Sequence, residues 1–334
     1  MIPHPAPTCQ TSPWRKALSQ AVRDPAELLE LLALPRELLP AARLAAARFP
    51  LRVPLGYVAR MEKGNPADPL LRQVLPLGEE LLSTEGFSAD PVGDLAAMAT
   101  SGLLHKYTGR VLLITTPACG IHCRYCFRRH FPYSEARAAT DDWQAALEYI
   151  AADTSIHEVI LSGGDPLSLT DQRLARLVDR LAAIPHLKRL RLHTRQVIVL
   201  PERVDAMLLD WLANTRLQTV IVVHANHANE INNEVAVALQ RLHARNISLL
   251  NQAVLLRGVN DDVNVLAALS ERLFESRVLP YYLHQLDRVQ GAQHFEVSDT
   301  RAMKLIQELR VHLPGYLVPR LVREKAGKSS KIPI

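Results

Sequence analysis

From about residue 105 onward the chain repeats one pattern, and that pattern restricts its fold more than any other feature. Short apolar, β-branched runs recur at 111–116, 158–161, 190–194, 219–223, 247–256 and 277–283, with longer amphipathic segments such as TDQRLARLVDRLAAI and EINNEVAVALQRLHAR between them. Strands alternating with helices at intervals of roughly 30 residues are consecutive βα units, which build a parallel sheet. Six units predict an α/β fold, an open or partial (β/α)6 barrel and not a closed eight-stranded one. Pro280 lies inside the last run and cannot donate to a ladder, which predicts an edge position. Upstream, AELLELLALP and ELLPAARLAAARF carry helical spacing, with Asp24-Pro25 as a start signal. The chain therefore divides into a mainly helical region (1–104), the barrel (105–312) and a C-terminal segment (313–334).

Polar and Gly-rich residues cluster just after the strands: the cysteines after the first, SGGDP after the second, HTR at the third, HANHANE after the fourth and HQLD after the sixth. In a parallel βα architecture these positions share one mouth, where sites are built.

No run approaches the roughly 20 apolar residues that span a bilayer, and MIPHPAPTCQTSPW lacks the apolar stretch of a secretory signal. A soluble cytoplasmic protein is expected. The net charge of +5 is interleaved along helices, as on solvated faces, so no nucleic-acid groove and no membrane surface is expected. Of four cysteines, three fall between positions 119 and 126, which points to a metal or cluster and not to disulfides. Cys9 is read as a free thiol.

Cys119, Cys123 and Cys126 form C-x3-C-x2-C. Three thiolates on one loop can ligate three irons of a [4Fe–4S] cubane and leave the fourth iron for a chelating cosubstrate. A structural zinc site would need a fourth ligand; His122 is poorly placed for it and Cys9 is remote.

This spacing after a barrel-opening strand resembles the radical S-adenosylmethionine superfamily, which implies that cosubstrate and a reducing electron donor. Ser162-Gly163-Gly164-Asp165-Pro166, directly after a strand, is similar to the superfamily element that contacts the cosubstrate's amino group. Longer stretches resemble the lysine 2,3-aminomutase family: DPLLRQVLP (68–76), RVLLITTPACGIHCRYCFRRHF (110–131), HANHANEI (224–231), LLRGVND (255–261), LPYYLHQLD (279–287) and GYLVPRLV (315–322). The resemblance implies an isomerase that moves the amino group of L-lysine from C2 to C3 with pyridoxal 5′-phosphate.

Residue by residue, it implies Lys331 in GKSSKIP as the pyridoxal lysine, with Lys328 the competitor. It implies Lys106 and Arg110 near the cofactor phosphate and Arg128 on the substrate carboxylate. Asp287 and Glu324 would read the substrate's ε-ammonium. His224 and Gln252 would contact S-adenosylmethionine, as would Ser162, Gly163, Gly164 and Asp165. Three residues follow Lys331, and with RVPLGYVARM and SKIP this is similar to the branch that makes (R)-β-lysine for elongation factor P, to which a separate ligase attaches it. A catabolic, glutamate or arginine aminomutase is the alternative; oligomerisation is left open.

Overall fold

The computed structural model describes residues 12–133 and 143–334; Cys9 lies outside them. One ten-stranded sheet runs in chain order: β1 (Met98–Thr100), β2 (Leu103–Tyr107), β3 (Arg110–Thr116), β4 (Glu158–Gly163), β5 (Arg189–Thr194), β6 (Gln218–Val223), β7 (Ser248–Val254), β8 (Leu279–His284), β9 (Arg320–Arg323) and β10 (Ile332–Pro333). Strands β3 to β9 are parallel; β1, β2 and β10 are antiparallel additions at the two ends. The sheet does not close, and a partial barrel results. All six expected strands form. A seventh parallel strand, β9, extends them, and the sheet runs across residues 105 and 313.

Alternation along the strands decides what each face does. Val111, Leu113, Val159, Leu161, Leu190, Leu192, Ile221 and Val223 face outward and join the main core with the surrounding helices. Each fully buried leucine there stabilises the fold by about 1.5–3 kcal/mol. The alternate residues, among them Ser162, Arg191, His193, His224, Gln252, Tyr282 and His284, therefore face the lumen. Ser, Thr, Asp and Asn side chains cap the barrel helices, as at Thr170, Asp205, Asn232, Asp262 and Ser298.

Pro280 corrects an expectation, because β8 is an interior strand paired on both sides. Its β9 ladder begins only at Tyr282, and the β7 register is irregular beside Asn251, its own partner. The missing N–H thus falls where the ladder is already interrupted.

The N-terminal region forms a second core around Leu28, Leu29, Tyr57, Leu70 and Leu71. It packs onto Ile121 of the cysteine loop and onto Val199 and Leu200, at the end of the short helix (Gln196–Val199) that follows β5. It walls the mouth and does not merely precede the barrel.

Candidate active site

The cysteine loop leaves β3 and is clasped by the glycine pair that leaves β4. Gly164 N donates to Thr116 O (2.7 Å) and Asp165 N donates to Ala118 O (2.8 Å). A Cβ at Gly164 would stand 2.5 Å from Ala118 O, inside any tolerable contact, so the approach requires glycine. Burial pushes the Cys119 thiol well above its ordinary range and Cys126 up to about 11. Thiols so placed lose their protons to solvent readily only when a bound cation stabilises the thiolate, so this donor set fits iron. Among the described residues no three His, Cys, Asp or Glu side chains group as ligands of a single metal ion; thiolates that each take a separate iron need not converge. His122 turns away, with Nδ1 2.9 Å from Pro50 O and its ring stacked on Phe49.

Beside Cys123 lies a buried polar network that the motifs did not reveal. Arg195 donates to Cys123 Sγ (2.7 Å), Tyr125 Oη (2.7 Å), Tyr57 Oη (3.1 Å), Gln73 Oε1 (2.6 Å) and Glu230 Oε2 (2.9 Å). Glu230 is fully buried, and burial opposes its ionisation. The Arg195 charge and the N–H of Asn226 outweigh that and hold its carboxyl below the usual range. His224 Nε2 lies 2.8 Å from Tyr125 Oη, which ties it to the same network; burial pushes its imidazole down to about 3.

Asp165 is placed differently from the role the sequence suggests. Its buried carboxylate accepts from Leu167 N, Thr194 Oγ1, Arg195 N and Gln196 N. It fastens the turn after β5, which carries Arg195, to the β4 loop. Ser162 Oγ accepts from Arg128 at 3.3 Å.

The opposite side of the lumen is built by the β9–β10 hairpin. Ile332 pairs with Arg323, which sets Lys331 opposite Glu324, and Gly327 (φ 74°) supplies the left-handed turn. Lys331 Nζ meets Glu324 Oε2 at 2.6 Å, while Tyr107 donates to Glu324 Oε1 at 2.6 Å. Burial opposes Glu324 ionisation, and Lys331 and Tyr107 outweigh it. Lys325 and Lys328 are exposed, whereas Lys331 is partly buried over the Tyr282 ring.

Asp94, which no motif singled out, joins the two sides. It receives Arg128 Nε (2.7 Å) and Lys106 Nζ (2.6 Å), and the latter is also 3.6 Å from Glu324. Lys106 thus sits among the carboxylates, with its charge already paired. Arg110 lies against the Tyr107 ring (4.6 Å) at the start of β3. Burial pushes the Asp287 carboxyl up to about 7 against the opposing pull of Lys331. The Gln252 side chain faces the lumen from β7 and has no hydrogen-bond partner among the described residues. The Nε2 atoms of His193 and His284 are buried and lack a partner. A lysine, the Arg110 guanidinium and unpartnered imidazoles on one lumen suit an anionic aldehyde cofactor.

A partial βα barrel with three loop thiols at its mouth is the architecture of a radical S-adenosylmethionine enzyme, and the radical SAM superfamily profile matches residues 113–269. The chain is 50% identical to an L-lysine 2,3-aminomutase of Haemophilus influenzae over 95% of this chain and 94% of that one. It is 49% identical to that of Escherichia coli strain K12 over 96% and 94%. It is 32% identical to that of Clostridium subterminale, over 96% of this chain and 77% of that one. The chain belongs to the lysine 2,3-aminomutase family, isomerases of the radical SAM type that use a [4Fe–4S] cluster, S-adenosylmethionine and pyridoxal 5′-phosphate. Among the described residues no helix is long and apolar enough to cross a membrane.

Proposed function

We propose that this lysine 2,3-aminomutase converts (S)-α-lysine to (R)-β-lysine, with Lys331 holding pyridoxal phosphate and Cys119, Cys123 and Cys126 holding the cluster. The observation that carries the reading is that the thiol loop and Lys331 open on one polar lumen, between carboxylates suited to an ammonium and an arginine suited to a carboxylate. When bound, the cluster and S-adenosylmethionine supply a 5′-deoxyadenosyl radical, and pyridoxal phosphate supplies a conjugated ring able to spread an unpaired electron.

The chain's own residues hold and orient. Arg128 presents a guanidinium, oriented by Asp94, to the substrate α-carboxylate; its planar fork suits a bidentate anion. Asp287 reads the distant ε-ammonium, and Glu324 adds a second carboxylate once Lys331 leaves it. Arg110 faces the cofactor phosphate, with Lys106 held nearby by Asp94. His224 and Gln252, with the Ser162–Gly164 backbone, line the cosubstrate side. The N-terminal wall packs on the barrel mouth and confines the lumen, where the radical must meet the substrate C–H bond before any other.

The finer reading is that the product serves elongation factor P, delivered by a separate ligase in the cytoplasm. The RVPLGYVARM and SKIP elements support it. An anaerobic assay with L-lysine, L-glutamate and L-arginine, followed by chiral chromatography, tests both levels. Turnover of glutamate or arginine in preference to lysine refutes the substrate assignment. An (S)-β-lysine product, or an (R)-β-lysine that the ligase fails to transfer to elongation factor P, refutes the finer reading.

A further inference from the structure

The lumen contains two imidazoles that the chain itself leaves unused. His193 projects inward from β5 and His284 from β8. Neither imidazole makes a hydrogen bond among the described residues, and the Nε2 atom of each is buried without a partner. A buried imidazole nitrogen with no partner is costly, and in native folds such atoms usually face a ligand or ordered water.

Their surroundings indicate which ligand. The His284 ring packs edge-on against Tyr282 at 5.5 Å, and Tyr282 lies under Lys331 Nζ at 5.8 Å. On β5, His193 follows Arg191, whose charge is paired with Glu158 (2.6 Å) toward the barrel floor. Both imidazoles are held neutral by burial, so each offers one donor and one acceptor. His224, the third lumen imidazole, differs because Tyr125 already engages it.

We infer that His193 and His284 are hydrogen-bond partners for the polar edge of the pyridoxal ring carried by Lys331. The inference rests on the assignment of Lys331 as the cofactor lysine. These two side chains would then set the affinity for pyridoxal phosphate and the absorbance of the lysine-linked form, without contacting the cluster.

The test uses the full chain with its cluster reconstituted, in the absence of lysine and S-adenosylmethionine, titrated with pyridoxal 5′-phosphate and followed by absorbance. Lys331→Ala serves as the reference for the lysine-linked band. His193→Leu and His284→Leu should each weaken binding about tenfold, one buried hydrogen bond, and shift the band. His193→Gln and His284→Gln should lie between wild type and the leucine variants. If the leucine variants lose iron or melt early, the glutamine variants carry the test, with binding about threefold weaker. Wild-type affinity and an unmoved band in stably folded variants overturn the inference alone, since ordered water then satisfies both rings. A wild-type chain with no Lys331-dependent band overturns the cofactor assignment and this inference together.

Discussion

Replacing Asp165 by asparagine separates a fastening role from direct contact with the cosubstrate. Oδ2 accepts from Arg195 N (2.8 Å), Gln196 N (2.9 Å) and Thr194 Oγ1 (2.9 Å), and Oδ1 accepts from Leu167 N (3.0 Å) and Thr194 Oγ1 (2.8 Å). Asparagine keeps one acceptor oxygen. Its least costly placement leaves that oxygen on the Arg195 and Gln196 amides and turns the amide nitrogen toward Leu167 N–H. One buried donor is then orphaned, at about 1–3 kcal/mol, and a donor–donor contact adds to it; about 2–4 kcal/mol is expected in all. For a chain of this size, at about 2.1 cal/mol/K of unfolding entropy per residue, that lowers Tm by roughly 3–6 °C. The assay is an anaerobic thermal melt of reconstituted protein, paired with equilibrium dialysis of S-adenosylmethionine. The melt should fall and iron retention should suffer, since the same carboxylate positions Arg195 beside Cys123. An unchanged melt with weakened cosubstrate binding would refute the reasoning and make Asp165 a direct ligand.

Gly164→Ala should cost the chain its clasp on the cysteine loop, and iron per chain after reconstitution should drop well below wild type; full iron loading would contradict the 2.5 Å contact. Arg195→Met leaves Glu230 buried and unpaired, so urea unfolding should show a loss of about 3–5 kcal/mol, partly recovered by Arg195→Met with Glu230→Gln. With its carboxyl near 7, Asp287 is ionised above that pH and protonated below it. Lysine affinity should be full above pH 7 and fall about tenfold per unit below it, a dependence that Asp287→Asn abolishes in isothermal titration.

The cysteine motif and the strand–helix alternation were legible because both are local: the ligands share one loop, and each strand carries its own apolar face. The Arg195 network was not. Tyr57, Gln73 and Glu230 lie 138, 122 and 35 residues from Arg195, and nothing in the local spacing joins them. Asp94 was hidden for the same reason, since it acts only through Arg128 and Lys106. His193 left a readable trace. In RLRLHT the leucines take one face, and once they pack on helices, Arg191 and His193 must face the lumen. The Lys331–Glu324 pair follows from the register of a hairpin so short that no strand pattern announces β10. Pro280 misled because an interrupted ladder on both sides of one residue cannot be read from a single strand.

The central claim is that the thiol loop and Lys331 serve one lumen, so that hydrogen passes directly between cosubstrate and substrate. Reconstituted enzyme given L-lysine deuterated at C3, with S-adenosylmethionine, pyridoxal phosphate and reductant, should yield 5′-deoxyadenosine carrying deuterium by mass spectrometry. Deoxyadenosine formed without deuterium while β-lysine accumulates would contradict it.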